Sequence, residues 1–279
     1  MNETSQKRDV YHLGNTNSHT DTHMQLTLKA ESSNGNVFPH LVKFYGSSYV
    51  QEDEVMELQL IMELCHTDLG KRIEEEYLIS FSDTEKLNIP FPGSTAIDDQ
   101  PSCKESVFHA IDITRQAASG LEFIHKNGIV HRDVKADNFL INQREDDIVI
   151  KISDFGVSRD IDVTTTKGKS VGTKVYHAPE FYARLFTTHT FSTDVYSFGL
   201  LLWEVWHGKR VFDRVSSEFP HPDNFYKCLD WKGENVAISA NDLKILMKKC
   251  CHKKPEERPE MKYILDQLTR LAKKSKDGS

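Results

Sequence analysis

Cysteine, positive charge and long apolar runs are all in short supply in this 279-residue chain. Its five cysteines do not form the spaced pairs of a disulfide framework, which favours free thiols in a reducing compartment. The net charge of −7 and the pI near 6.0 argue against a dominant nucleic-acid or anionic-membrane surface. The most apolar stretch, residues 200–206, is too short to span a bilayer, and residues 1–14 lack the apolar core of a signal peptide. We therefore expect a cytoplasmic or nuclear protein that neither binds nucleic acid nor inserts into a membrane.

Two adjacent cysteines allow a metal-binding alternative. Cys250, Cys251 and His252 carry metal-ligating side chains, but the sequence offers no matching second pair, so buried thiols are the better interpretation. The composition, 38% hydrophobic and 28% charged, is typical of a globular protein with a sizeable core. No internal repeat and no shift in composition marks an additional domain.

Strand signals are concentrated in two places. The apolar runs at residues 41–46 and 58–64 flank the acidic turn at 51–54, which predicts antiparallel strands. A second hairpin is predicted from residues 139–141 and 148–152, which bracket a polar turn. The preceding residues 1–36 are mostly polar and carry little structural signal.

Apolar side chains at helical spacing predict three amphipathic helices. The first spans residues 107–125 and follows a stretch at 79–106 that we interpret as a long surface loop. The other two span residues 243–250 and 261–271, before a lysine-rich end.

Residues 192–206 are apolar almost all round, which predicts a helix buried in the middle of a lobe. Ser192 or Thr193 is its expected N-cap, and Gly208 is expected to end it.

The most informative stretch runs from His131 to Asn138 and continues at Asp154. It contains a carboxylate at Asp133, a cation at Lys135, and potential metal ligands at Asn138 and Asp154. A phosphoryl group in flight carries negative charge on its equatorial oxygens, so its transfer needs magnesium, fixed cations and a positioned hydroxyl. These residue types provide most of that equipment.

The same stretch resembles the catalytic loop and the magnesium loop of a eukaryotic protein kinase. The resemblance covers residues 37–272 and implies an α+β, protein-kinase-like bilobal fold with an incomplete small β lobe and a mainly helical large lobe. The chain would then begin with a divergent or poorly ordered segment at residues 1–36, followed by a small-lobe remnant at 37–64. The large lobe would span residues 65–272, and a tail would follow at 273–279.

The resemblance also assigns catalytic roles. Asp133 would orient the acceptor hydroxyl and take its proton, Lys135 would lie against the transferred phosphate, and Asn138 with Asp154 would hold Mg²⁺. Thr173 would contact the catalytic aspartate. Lys135 two positions after Asp133 is typical of serine/threonine-type loops, so protein substrates with Ser or Thr hydroxyls are expected.

ATP would lie between the lobes. Met62 matches the gatekeeper, and Glu63, Leu64 and Cys65 match the hinge, whose backbone would hydrogen-bond adenine. Leu140 would pack under the base. A generic hairpin is the alternative for this region.

The remaining matches are structural or regulatory. His131 and Phe155 would stack in an internal spine, and Gly156 completes the magnesium-loop motif. Asp194 would anchor the catalytic-loop backbone, with helix capping as the alternative. The kinase ion pair between the activation segment and a late helix matches Glu180 and Arg258, with a surface bridge as the alternative.

Arg132, beside Asp133, predicts control by phosphorylation, because such an arginine can pair with a phosphate. Thr164, Thr165, Thr166 and Ser170 are the candidate acceptors. A threonine-rich exposed loop is an equal alternative.

The nucleotide clamp of a kinase is missing. Before Leu41 the glycines are Gly14 and Gly35 and the lysines are Lys7 and Lys29, so a glycine-rich loop cannot form there. Residues 26–30, which include Lys29, resemble the strand-lysine pattern, but too few residues separate them from His40 for the helix that should follow. They are better interpreted as part of that helix.

Three readings remain open. The first is a serine/threonine kinase of the tyrosine-kinase-like group, indicated by residues 194–204, with its small lobe shortened by an alternative start or an incomplete gene model. The second is a kinase-like binding module or scaffold with little catalysis. The third, a small-molecule phosphotransferase, is disfavoured by Thr173 and Arg258. The oligomeric state cannot be read from the sequence.

Overall fold

In a computed structural model of the protein, strands dominate the first part of the described chain and helices the remainder. The structure describes residues 8–12, 38–52, 55–79, 101–144, 147–154, 159–160, 174–183, 188–211 and 238–277.

The small lobe contains a three-stranded antiparallel sheet. Its strands β1 (Arg8–His12), β2 (Phe44–Glu52) and β3 (Val55–Met62) are arranged in the order β1-β3-β2. The predicted pairing of two strands around an acidic turn is confirmed, and the register places Glu52 opposite Val55. The sequence pattern predicts no strand in residues 1–36, whereas β1 lies within them and adds a third strand to the sheet. With three strands among the described residues, the small lobe matches the expected incomplete form.

Short strands bring the site loops together in the large lobe. The sheet β4-β6-β7 consists of Thr67–Asp68, Phe139–Arg144 and Asp147–Ile152. The second predicted hairpin is therefore confirmed as β6 and β7. Strands β5 (Ile129–Val130) and β8 (Arg159–Asp160) pair separately, and β5 leads directly into the loop that begins at His131.

The described helices are α1 (Leu69–Ile79), α2 (Pro101–Lys126), α3 (Glu180–Ala183), α4 (Phe191–His207), α5 (Ile238–Cys250) and α6 (Met261–Asp277). The three predicted amphipathic helices correspond to α2, α5 and α6. The loop prediction for 79–106 was wrong at its end, because residues 101–106 are already helical. Pro101 is tolerated there since proline fits the first turn of a helix.

Helix α4 is the core of the large lobe. Trp203 and Trp206 are 1% exposed, and apolar side chains surround them, as the continuous hydrophobic pattern predicted. The expected N-cap was wrong. Thr190 is the N-cap, and Thr193 lies in the first turn, where its Oγ1 accepts a hydrogen bond from the Thr190 backbone N–H at 3.1 Å. Gly208 ends the helix in the left-handed conformation, with φ of 59°, as expected.

The adjacent cysteines are packing residues. Cys250 and Cys251 are both fully buried, and burial raises the pKa of each thiol, that of Cys251 to about 12. Thiols this reluctant to ionise are poor nucleophiles. None of the helices seen in the described ranges has the length and apolarity needed to cross a membrane.

Candidate active site

One buried carboxylate, that of Asp194, holds the start of the loop from His131 to Asn138. Asp194, in the first turn of α4, accepts hydrogen bonds from the backbone N–H groups of His131 (2.7 Å) and Arg132 (2.9 Å). The Nε2 of His125 donates to the same carboxylate at 2.9 Å. Arg132 has a φ of 74°, a left-handed conformation that costs of order 1 kcal/mol for a side chain with a Cβ. The bonds to Asp194 hold the loop in that conformation.

Asp194 remains ionised in spite of its burial. Desolvation acts to raise its pKa, but the hydrogen bond and the charge of His125, together with His131 and the Arg132 N–H, lower it below the usual value. The carboxylate is therefore a strong acceptor for the two loop amides, a charge-assisted arrangement.

Three predicted catalytic side chains lie together in this loop. The Nζ of Lys135 is 2.7 Å from Oδ2 of Asp133. The Nδ2 of Asn138 donates to the backbone carbonyl of Asp133 (2.7 Å) and to its Oδ2 (3.1 Å). The amide nitrogen of Asn138 thus faces Asp133, and its oxygen Oδ1 is the atom that can face a cation.

Asp154 is fixed next to Asn138 through the backbone. Ser153 donates to the carbonyl of Asn138 from its N–H (2.9 Å) and its hydroxyl (3.1 Å). The ring Nε2 of His131 donates to the carbonyl of Ser153 at 3.0 Å. Asp154 follows with a φ of 59°, so the backbone turns sharply at this residue. An amide oxygen and a carboxylate are oxygen donors of the kind that Mg²⁺ prefers, so this pair fits the expected metal.

The proposed adenine side is an apolar cluster separate from the main core. Val42, Met62 and Leu140 are buried together, and Phe44 and Cys65 pack against them from partly exposed positions. The structure thereby brings the predicted gatekeeper and the predicted floor of the base pocket into contact.

The side chain of Glu63 turns toward a different partner. Its carboxylate lies 3.0 Å from Nζ of the buried Lys151 and accepts a hydrogen bond from Asn142 at 2.9 Å. The three side chains line a cavity of about 330 Å³ with Pro39, Lys43, Tyr45 and Val149. The sequence reading missed this pair, whose one available signal is a lysine within the apolar strand β7.

The ion pair expected between Glu180 and Arg258 is two-pronged and buried. Nη1 and Nη2 of Arg258 lie 2.8 and 2.7 Å from the two carboxylate oxygens of Glu180. The guanidinium also donates to the carbonyls of Ser192 and His252, each at 2.8 Å, and lies over the ring of Tyr196 at 5.0 Å. Because the Arg258 side chain is 0% exposed, this is not a surface bridge.

Several predicted site residues lie outside the described residues. They are Phe155, Gly156, Thr164, Thr165, Thr166, Ser170 and Thr173. Lys29, which resembles the strand lysine of a kinase, also lies outside the described residues. Their assigned roles stay predictions.

Comparison with known sequences agrees with this geometry. The family model described as the protein kinase domain matches residues 15–268, which is most of the chain. The chain belongs to the protein kinase family. The resemblance to a eukaryotic serine/threonine kinase, and with it the bilobal α+β fold, is confirmed.

Curated relatives of this kinase carry protein-kinase names. It is 29% identical over 85% of its length to the probable serine/threonine-protein kinase gdt4 of Dictyostelium discoideum. It is 33% identical over 57% of its length to mitogen-activated protein kinase kinase kinase 13-A of Xenopus laevis. It is 34% identical over 56% of its length to mitogen-activated protein kinase kinase kinase 12 of Rattus norvegicus. The matched regions cover 14%, 16% and 17% of those three relatives.

The buried guanidinium of Arg258 in this kinase, with its paired bonds to Glu180, gives a first prediction. Lysine keeps the charge but cannot make two parallel bonds to Glu180 and two more to carbonyls, so Arg258→Lys should lower the free energy of unfolding by about 2 to 4 kcal/mol. Chemical denaturation followed by fluorescence measures the loss. The exposed Arg270→Lys is the matched control and should change stability by less than about 0.5 kcal/mol. An equal loss of unfolding free energy in the two variants would contradict the structural role of the Arg258 guanidinium.

A second buried carboxylate of the kinase lies near the end of α4. Glu204 is 0% exposed, and its Oε1 accepts hydrogen bonds from the hydroxyl of Tyr176 and the backbone N–H of Val211, both at 2.8 Å. Burial raises the pKa of Glu204 to about 7, and the negative charge of Asp137 also raises it. The charge of Arg210 and the hydrogen bonds from the Val211 N–H and Tyr176 act to lower it. No hydrogen bond from a described residue reaches its Oε2.

Glu204 should therefore make stability depend on pH. Between its unfolded pKa of 4.5 and about 7, the folded state binds more protons than the unfolded state, so stability falls as the pH rises. Glu204→Gln cannot ionise and should remove about 2 kcal/mol of the fall in stability between pH 5.5 and pH 8. Urea unfolding at pH 5.5 and pH 8 measures the difference. Glu122→Gln on α2 is the control and should keep the wild-type slope. An unchanged slope in Glu204→Gln would refute the assignment.

Proposed function

We propose that this protein kinase domain transfers the γ-phosphate of ATP to Ser or Thr hydroxyls of protein substrates. The observation that carries the proposal is the arrangement of one loop in which the ammonium of Lys135 and the side-chain amide of Asn138 both contact the carboxylate of Asp133. Ser153, the residue before Asp154, donates from its hydroxyl to the carbonyl of Asn138. These groups match the requirements of phosphoryl transfer.

Each side chain has a distinct task. Asp133 orients the acceptor hydroxyl and takes its proton at Oδ1 or Oδ2, and Lys135 neutralises charge beside it. Asn138, through Oδ1, and Asp154, through its carboxylate, would hold Mg²⁺, which supplies neutralisation of phosphate charge when bound. Met62, Cys65 and Leu140 would surround the adenine.

A kinase-like scaffold is the second candidate. It is favoured by the absence of a glycine-rich loop and of a convincing strand lysine before Leu41. Against it stands the retention of all three residues Asp133, Asn138 and Asp154, since a scaffold has no chemical need for them together.

Two measurements separate these functions. Thermal unfolding with ATP and Mg²⁺ tests nucleotide binding, because a ligand that binds the folded state raises the melting temperature. Transfer of labelled γ-phosphate to a generic protein, followed by phosphoamino-acid identification, tests catalysis and the Ser/Thr preference. No thermal shift together with no transfer would leave the scaffold. Transfer to a metabolite but not to protein would indicate a small-molecule phosphotransferase.

A further inference from the structure

A buried arginine follows the central helix at the edge of the site. Arg210 comes two residues after Gly208, the left-handed residue that ends α4, and its side chain is only 3% exposed. A buried guanidinium is costly unless carboxylates compensate it. No motif in the sequence assigns a role to Arg210.

Carboxylates from three separate segments surround Arg210. Its Nη2 is hydrogen-bonded to Oδ2 of Asp137, and its Nε lies 3.6 Å from Oε1 of Glu204 and 3.7 Å from Oε1 of Glu74. Asp137 belongs to the catalytic loop, Glu204 to α4 and Glu74 to α1. The guanidinium is therefore a junction between the catalytic loop and two helices.

Space for this junction depends on a glycine. A Cβ at Gly70, in the first turn of α1, would lie 2.1 Å from Nη1 of Arg210 and 3.1 Å from Cγ of Asp137. Any larger residue at position 70 would push the guanidinium from its place. The helix conformation itself does not call for glycine there, since alanine is the better helix former.

The carboxylates around Arg210 connect to two parts of the proposed site: the catalytic loop and the segment around Tyr176. Asp137 is the residue before Asn138, whose side chain contacts Asp133. Glu204 binds the hydroxyl of Tyr176, and the hydroxyl of Ser197 donates to the carbonyl of Tyr176 at 2.8 Å. Tyr176 lies four residues before Glu180, in the segment expected to support a protein substrate.

The contact with Asp137 is poorly suited to a purely stabilising role. Glu204 lies buried beside Nε of Arg210 and compensates its charge when ionised, whereas the Asp137 side chain is 45% exposed. Ion pairs with exposed partners contribute little to stability. What the contact does fix is the position of the backbone beside Asn138.

We propose that Arg210 is a positioning residue, which ties the catalytic loop at Asp137 to the Glu204–Tyr176 pair and so keeps Asn138 and Asp133 aligned for phosphoryl transfer. This inference rests on the proposed kinase activity. Misplacement of reacting groups by about 1 Å can cost on the order of one hundred-fold in rate, so the contribution of Arg210 should be visible in kcat.

The first test compares Arg210→Gln with Arg210→Lys. The glutamine variant should lower kcat for phosphotransfer by about ten- to one hundred-fold, with the KM for ATP changed less than about two-fold. Lysine retains a charge that reaches Asp137 and should recover part of kcat. Arg115→Gln on α2 is the control, since Arg115 pairs with Asp112 within that helix and should leave kcat unchanged.

Gly70→Ala tests the same junction without removing a charge. It should displace the guanidinium and lower kcat in the same direction as Arg210→Gln, although it favours the helix. Combining Asp137→Asn with Arg210→Gln should lower kcat little further than Arg210→Gln alone, because both changes break one contact. If Arg210→Gln does not fold, Gly70→Ala and Asp137→Asn decide the question. Wild-type kcat in both would overturn the proposal.

Hydrogen exchange gives a readout that does not require activity. Amides of residues 136–139 and 174–177 should exchange faster in Arg210→Gln than in Arg115→Gln under conditions where both are folded. If the wild type transfers no phosphate but this difference is present, the positioning role stands and the proposed function fails. If the wild type is active and kcat and exchange are the same in the two variants, the positioning role fails alone.

Discussion

Asp133→Asn is expected to lower kcat by about one hundred- to ten thousand-fold while leaving the protein folded. An amide has no lone pair basic enough to take a hydroxyl proton, so the acceptor would remain protonated as the phosphate arrives. Folding should survive because the strongest contact at this position uses the main chain, where Asn138 donates to the Asp133 carbonyl at 2.7 Å. Asparagine has nearly the same shape as aspartate and keeps that carbonyl.

Initial rates of γ-phosphate transfer at saturating ATP and Mg²⁺ measure this effect. Asp147→Asn, at the exposed start of β7, is the matched control and should transfer phosphate at the wild-type rate. The melting temperature of Asp133→Asn should stay close to that of the wild type, and ATP with Mg²⁺ should still raise it. Activity that survived in Asp133→Asn would assign the proton transfer to a different group.

Asp194→Asn is expected to lower the free energy of unfolding by about 3 to 5 kcal/mol. The change removes a buried negative charge that receives three donors, from His131, Arg132 and His125. The new amide NH₂ group would face N–H groups, so at least one buried donor would lose its acceptor. The left-handed conformation of Arg132 would also lose its support. Both stability and kcat should therefore fall.

Urea unfolding, followed by the fluorescence of the buried Trp203 and Trp206, measures the stability loss. Asp266→Asn, exposed on α6, is the control and should change stability by less than about 0.5 kcal/mol. A loss in Asp194→Asn no larger than that of the control would mean that the loop is held by other contacts.

The parts of the fold that were predictable are those set by local pattern. The apolar character of α4 follows from residues adjacent in sequence, and Gly208 is a local stop signal. The two hairpins follow from paired apolar runs around polar turns. The hairpin that joins the two loops carrying Asp133, Asn138 and Asp154 was predictable from its apolar runs, whereas the roles of these residues came from the resemblance to protein kinases.

The parts that were not predictable depend on distant pairing. Asp137 and Arg210 are 73 residues apart, and no periodicity links an exposed loop carboxylate to an arginine after a helix. The pairing of Glu63 with Lys151 is hidden for the same reason. The N-cap at Thr190 was missed because Ser192 and Thr193 offer equally good capping side chains. Strand β1 was missed because its polar sequence becomes a strand only through pairing with β3.

Helix α4 has a consequence for how the site can be lost. Asp194 holds the catalytic loop, Ser197 and Glu204 hold Tyr176, and Arg258 lies over Tyr196. All of these attachments end on one helix that is buried nearly throughout. The catalytic loop and the segment around Tyr176 therefore belong to the same cooperative unfolding unit as the core. Neither can open far while α4 stays in place, so partial unfolding that spares the helix also spares the geometry of catalysis.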